Sequence, residues 1–266
     1  MRQRWCRFKK NNVIEYGWIH EDEIVVVHGM PWGNPTETGA KYPLSSVKLL
    51  APVVPPTFYC VGLNYPAHII AIAKRTGVEP NFPPRPDVAY RANNALCGQN
   101  DPIIKPNDAG EDFQYEGELV VVIGKEGKFI QPENALDYVF GWTIGNDVSE
   151  RNWQRSDRTN WRAKNCDTFN PMGPWITTDL DYRKMTTIVR LNNEEVERFA
   201  TGDMHHDVET YIVEISKYCT LYPGDIIWMG TDGAPRNMKP GDLCEVEITG
   251  IGTLRNTVIA QTSNGA

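Results

Sequence analysis

The sequence lacks paired cysteines, a basic excess and long apolar runs, and each absence removes a class of protein. Its six cysteines, Cys6, Cys60, Cys97, Cys166, Cys219 and Cys244, are scattered, with no Cys-x-x-Cys among them. Disulfide scaffolds and thiolate zinc sites need short, repeated cysteine spacings, so free thiols in a reducing compartment are expected. His205 and His206 are adjacent and would not share a helical face, so they add no zinc pair. The formal net charge is −7. Nucleic-acid binding needs a basic face to neutralise phosphates, so no nucleic-acid partner is expected. No apolar run approaches the ~20 residues of a membrane-spanning helix, so no membrane partner is expected either. The stretch from Met1 to Lys10 is basic, but no apolar segment follows it. It does not read as a secretion signal, and a cytoplasmic location is expected. The sequence has no internal repeat and no low-complexity segment.

What is present is the composition of a folded domain. With 266 residues, 41% hydrophobic and 23% charged, the chain can bury a core without staples. Strand patterns dominate. Ile14–Ile19 and Ile24–Val27 flank the polar turn His20-Glu21-Asp22-Glu23 and read as a hairpin. A loop containing Gly29, Pro31, Gly33, Pro35 and Gly39 follows, and then the stiff joint Ala51-Pro52-Val53-Val54-Pro55-Pro56. That joint divides a small N-terminal β region, 1–55, from a larger domain, 56–266. Phe58–Gly62 reads as a short buried strand and His68–Lys74 as a helix. Gly77–Asp87 is a proline-rich loop long enough to act as a lid. Arg155–Lys164 reads as a polar, aromatic loop. A second hairpin is expected around Asn192-Asn193-Glu194-Glu195. Asp203 can cap a helix running to Tyr218, with Val208, Tyr211, Ile212 and Ile215 on one stripe. Pro223-Gly224-Asp225 and Pro240-Gly241-Asp242 each turn into a strand. The expected class is mainly β, with a few short helices.

Three carboxylates stand out. Glu116 and Glu118 precede and enter the apolar run Leu119-Val120-Val121-Val122-Ile123, and residues two apart on a strand share a face. Asp147 ends a second strand-like stretch, Gly141–Asp147. Carboxylates brought together repel unless a cation neutralises them or their pKa values rise. Hard oxygen ligands suit magnesium, manganese or calcium.

Several segments together resemble the fumarylacetoacetate hydrolase family. They are Val61-Gly62-Leu63-Asn64-Tyr65-Pro66-Ala67-His68, Glu116-Gly117-Glu118-Leu119, Gly145–Arg151, Lys164–Trp175, Leu221–Ile227 with Gly230-Thr231, and Glu245–Ile248 with Gly250–Thr253. The resemblance runs from about Pro43 to Val258. It implies a mixed β-roll or sandwich fold, a homodimer, and a divalent metal (magnesium or manganese, with calcium possible in crystals) held by Glu116, Glu118 and Asp147. It further implies a small 2-oxo acid as substrate and chemistry through an enol or enolate.

By the same resemblance Lys164 would lie beside the substrate oxygens, Arg151 and Gln154 would orient water and substrate, and Thr231 would bind the substrate carboxylate. Arg91 would meet a second carboxylate. His68 would be the base, since an imidazole near neutral pKa can take a proton from water or carbon. Trp153, Asn160 and Trp161 would line a pocket for a flat substrate. Two departures bear on the reaction. Many bacterial members carry a glutamate three residues after the histidine, where this sequence has Ala71, so Glu245 becomes the candidate partner. Asp232 follows Thr231 where many relatives have proline. The leading expectation is a metal-dependent hydrolase of a carbon–carbon bond in an acylpyruvate-like ring-cleavage product. The alternatives are an isomerase or decarboxylase on the same site, motivated by Ala71, and a non-catalytic metal-binding module.

Overall fold

A computed structural model describes residues 2–234 and 236–262; Met1, Pro235 and residues 263–266 lie outside them. Two large sheets organise these residues, and a third has two strands, Phe113–Gln114 and Ser149–Glu150. The larger runs, in spatial order, through Thr36–Pro43, Glu23–His28, Val13–His20, Arg4–Lys10, Asn170–Thr177, Val139–Asn146, Gly117–Ile123, Ile226–Trp228, Phe58–Val61 and Val88–Tyr90. The N-terminal strands are therefore continuous with the rest through the antiparallel pairing of Arg4 and Trp5 with Thr177 and Ile176. The second sheet runs through Glu194–Ala200, Thr186–Leu191, Leu243–Ile248, Gly252–Ala260 and Ile103–Lys105.

Strand Gly117–Ile123 lies at the centre, and all seven of its residues are buried. Its alternation splits the core: Leu119, Val121 and Ile123 pack with Val189, Val246 and Leu254 of the second sheet, while Val120 and Val122 pack with Trp5, Ile176 and Trp228. Each such aliphatic side chain contributes roughly 1.5–3 kcal/mol on burial. Glycine sets the closest approaches. A Cβ on Gly117 would stand 2.9 Å from Val189 Cγ2, and one on Gly145 would stand 2.6 Å from the Trp228 ring. These two residues flank the carboxylates, so the second sheet and Trp228 press directly on the strand ends that carry Glu116, Glu118 and Asp147.

Most expected elements are present, including both hairpins and the buried stripe Val208, Tyr211, Ile212 and Ile215. Asn192 and Asn193 both adopt left-handed φ (53° and 67°), which the two-residue turn between Leu191 and Glu194 requires. The expectations fail in three places. Gly39 lies within strand Thr36–Pro43 rather than in a loop. Trp161–Asn165 is a short helix rather than part of a loop. The helix Val208–Tyr218 is capped by Asp207, whose Oδ1 accepts from Thr210 N at 2.9 Å, and not by Asp203. Asp203 instead closes the preceding turn through its backbone amide to Ala200 O. The 77–87 segment is a loop fastened at Pro83, whose carbonyl oxygen lies 2.9 Å from both His205 Nε2 and His206 Nε2. No helix among the described residues is long and apolar enough to cross a membrane.

Candidate active site

A cleft of about 640 Å³ opens at the C-terminal end of the buried strand Phe58–Val61 and beside the entrance of Gly117–Ile123. Glu116, Glu118, His68, Lys164, Arg91, Arg151, Gln154 and Thr231 all line it. Glu116, Glu118 and Asp147 are each under 8% exposed, and ligand oxygens from the three lie within 4.8 Å of one another. Antiparallel pairing explains the convergence. Gly117 pairs with Asn146 and Glu118 with Gly145, so Asp147 emerges opposite Glu116, and its amide donates to Glu116 O at 2.9 Å. Asn146 fixes the junction by accepting from Glu116 N at 3.0 Å.

Positive groups surround these acids. Lys164 Nζ, itself 5% exposed, donates to Glu116 Oε2 at 2.6 Å and Asp147 Oδ2 at 2.7 Å. The short helix Trp161–Asn165 delivers it, which is why the helical turn matters to the site. Arg91 grips Asp147 with both arms, Nε to Oδ1 at 3.1 Å and Nη2 to Oδ2 at 2.8 Å. Arg151 pairs with Glu116 at 2.6 Å and is held by Gln114 and Gln154. Asn170 adds a donor to Asp147 at 2.9 Å. Thr231 is buried, and its hydroxyl donates to Gly233 O at 3.3 Å.

The electrostatics separate the three carboxyls. Burial alone would raise all of them. At Glu116 that effect is outweighed by Arg151 and Lys164, and at Asp147 by Arg91 and Lys164, so both sit below the usual carboxylate range. Among the described residues Glu118 has only the Gly230 amide as a close donor, at 2.9 Å. Burial, then the Asp147 and Glu116 charges, push it well above the usual range. A divalent cation fits this donor set: three hard oxygen ligands, of which one would carry, once its proton leaves, a charge its surroundings do not balance. Glu116, Glu118 and Asp147 would hold such an ion, and when bound it would act as a Lewis acid toward a carbonyl oxygen. Binding must displace the Glu118 proton, so affinity for Mn2+ should rise as pH climbs through the elevated Glu118 pKa. Calorimetric titration across neutral pH, with proton release read from the buffer dependence, checks this. A flat affinity would contradict it.

The structure places other expected residues differently. Glu245 does not reach His68. On strand Leu243–Ile248, Cys244 and Val246 face the core, so Glu245 takes the opposite face, where Arg255 Nη2 meets its Oε1 at 2.9 Å. Arg91 is committed to Asp147, and Gln154 to Arg151. Of Trp153, Asn160 and Trp161, only Asn160 lines the cleft. Trp153 is buried under the Arg162 guanidinium, and Trp161 is 68% exposed. Ala71 lines the cleft near His68, as the sequence led us to expect, and leaves that position without a carboxylate. Three residues of the site went unforeseen: Gln114, Asn170 and Glu197. Glu197 alone carried a signal, since it shares a strand face with the buried Phe199, an unusual neighbour for a solvated acid.

Comparison with known proteins identifies the family. Residues 57–259 match the model of the family described as fumarylacetoacetate (FAA) hydrolase C-terminal, and residues 3–52 match one described as Rv2993c-like, N-terminal. Protein Rv2993c of Mycobacterium tuberculosis is 40% identical over 232 residues, covering 86% of this chain and 85% of that protein. The oxaloacetate tautomerase YisK of Bacillus subtilis is 34% identical over 229 residues, 82% of this chain and 75% of its own length. The crystal structure of a 5-carboxymethyl-2-hydroxymuconate delta-isomerase from Mycobacterium smegmatis superposes with a TM-score of 0.87 at 36% identity, covering 97% of this chain and 100% of that one. With a mainly β fold of the same kind and this acidic site at its centre, the chain belongs to the fumarylacetoacetate hydrolase family.

Proposed function

We propose that the chain is a divalent-metal-dependent isomerase of 2-oxo dicarboxylic acids, interconverting keto and enol forms, with oxaloacetate as the reference substrate. The observation that carries this reading is the buried triad Glu116, Glu118 and Asp147, with Lys164 between two of its members and His68 in the same cleft. Relatives named as an oxaloacetate tautomerase and a delta-isomerase support the reaction class. Magnesium or manganese suits the all-carboxylate donor set.

The residues divide the work. His68 has its pKa lowered: burial first, together with Arg151, Lys164 and Arg75, outweighs the opposing pull of Glu116. It is therefore neutral at physiological pH and free to take a proton from the carbon next to the ketone. Lys164 holds a fixed ammonium where negative charge would develop on the substrate oxygens. Arg91 and Arg151 keep Asp147 and Glu116 ionised and immobile. Enolisation needs no activated water, so it is the reaction that loses least from alanine at position 71 and from Glu245 being turned away.

Carbon–carbon hydrolysis would pass through a similar enolate and differs in consuming water. Mass spectrometry of magnesium-loaded protein with oxaloacetate and a panel of acylpyruvates separates the two. The isomerase reading expects a change in tautomer at constant mass. Two fragments whose masses sum to substrate plus water would replace it with the hydrolase.

A further inference from the structure

Glu197 is a cleft carboxylate outside the acidic triad and its cationic partners. It sits on strand Glu194–Ala200, lines the cleft, and its Oε2 is buried with no hydrogen-bond partner among the described residues. Its position is fixed by its neighbours. Phe199, on the same face, packs edge-on against Tyr65 with ring centroids 5.1 Å apart, and Tyr65 OH donates to Thr201 O at 2.8 Å. Tyr65 is the residue from which helix Pro66–Thr76 starts, and His68 lies in that helix's first turn. The strand and the helix are thus clamped together with Glu197 and His68 toward the cleft.

The two side chains face one gap. A Cβ built on Gly233 would stand 3.3 Å from His68 Nδ1 and 3.4 Å from Glu197 Oε1. They make no direct hydrogen bond among the described contacts, and glycine at 233 keeps the space between them open. A water molecule held by these two polar atoms would link them, and acid–base transfer can run through one such water. Any side chain at 233 would intrude there.

We propose that Glu197 is the proton partner of His68, linked to it through a bridging water over Gly233, in place of the carboxylate missing at position 71. This rests on the isomerase reading for its reaction. In the enol-to-keto direction, the enol hydroxyl first loses its proton to solvent, leaving the enolate. The Glu197 carboxyl proton then moves through the water to Nδ1 as His68 gives its Nε2 proton to the substrate carbon, so His68 stays neutral and Glu197 ends as carboxylate. Solvent returns a proton to Glu197, and the cycle moves no net proton. The reverse sequence removes the carbon-bound proton.

The surroundings favour a proton resting on Glu197. Burial, then the Asp232 and Glu116 charges, push its carboxyl up to about 8, with the Tyr115 phenol close by. His68 faces Glu116, Arg151, Lys164 and Arg75 and is shifted the other way. A protonated acid beside a neutral base is what proton delivery toward carbon needs.

Glu197→Gln tests this, since glutamine keeps the shape and polarity but cannot exchange the proton. Expected results are a fall in enol-to-keto kcat of ~10²-fold or more, unchanged Mn2+ binding by calorimetry, and loss of the alkaline limb of the kcat–pH profile. A wild-type profile at any rate would overturn the inference, because a merely structural role lowers rate without removing a limb. If the wild-type protein turns over no 2-oxo acid, the functional reading fails and the pair is still tested by NMR titration of His68 in the magnesium-loaded protein. Two coupled protonation steps in wild type and one in Glu197→Gln are expected; superimposable curves would overturn it.

Discussion

Glu118→Ala should abolish turnover and divalent-metal binding together, with kcat/KM falling by about 10³ or more, equivalent to ~4 kcal/mol of transition-state stabilisation. The effect is large because Glu118 is the acid the protein leaves unneutralised. Glu116 and Asp147 already have Lys164, Arg151 and Arg91 as partners, whereas Glu118 has the Gly230 amide. A cation gains most from the carboxylate that has gained least from the protein. Isothermal titration with Mn2+ and a parallel rate assay read the two losses. The metal-induced rise in Tm, present in wild type by mass action, should vanish in the variant. Retained Mn2+ affinity with full activity would remove the metal centre from the account.

Lys164→Met should lower kcat by about 10²–10³ and destabilise the metal-free protein by about 3–5 kcal/mol, the usual result of removing one partner from a buried charge cluster. Methionine fills the volume but leaves Glu116 and Asp147 facing each other across a desolvated gap. Their folded-state pKa values are depressed, so they stabilise the fold at pH above the unfolded carboxylate range, and that contribution is lost as pH falls through the folded values. Without Lys164 the depression shrinks, so acid unfolding should begin at higher pH in the variant. Urea denaturation from pH 3 to 8 measures the difference. Saturating Mn2+ should restore much of the stability while kcat stays low, because a metal can neutralise the carboxylates but cannot replace the ammonium beside the substrate. Recovery of full kcat with metal would show that Lys164 is only a counter-charge.

The carboxylates were legible in the sequence because strand alternation is local: Glu116 and Glu118 are two apart, and the apolar run behind them announces the buried strand. Asp147 showed as the polar end of a second strand-like stretch, and the resemblance supplied Lys164 and His68, which no local pattern joins. Glu245 misled because its neighbourhood in sequence does not reveal which face of its strand it occupies, and Cys244 and Val246 claim the core face. Glu197 was hidden for the opposite reason. It follows a hairpin turn full of polar residues, and only the contact of Phe199 with Tyr65, more than 130 positions away, carries it to His68. The helix Trp161–Asn165 is five residues long, too short for periodicity to show. Asp203 and Asp207 are both plausible caps in sequence, and the backbone turn after Ala200 decides between them.

In the proposed reaction this site removes and returns a proton at the carbon next to the ketone of a 2-oxo acid. Hydrogen exchange at that carbon in D2O, followed by proton NMR with magnesium-loaded protein and a 2-oxo dicarboxylic acid, measures it most directly. Exchange should run well above the buffer rate in wild type and at the buffer rate in Glu118→Ala and His68→Ala. Exchange at the buffer rate with wild-type protein that demonstrably binds metal and substrate would contradict the proposed reaction.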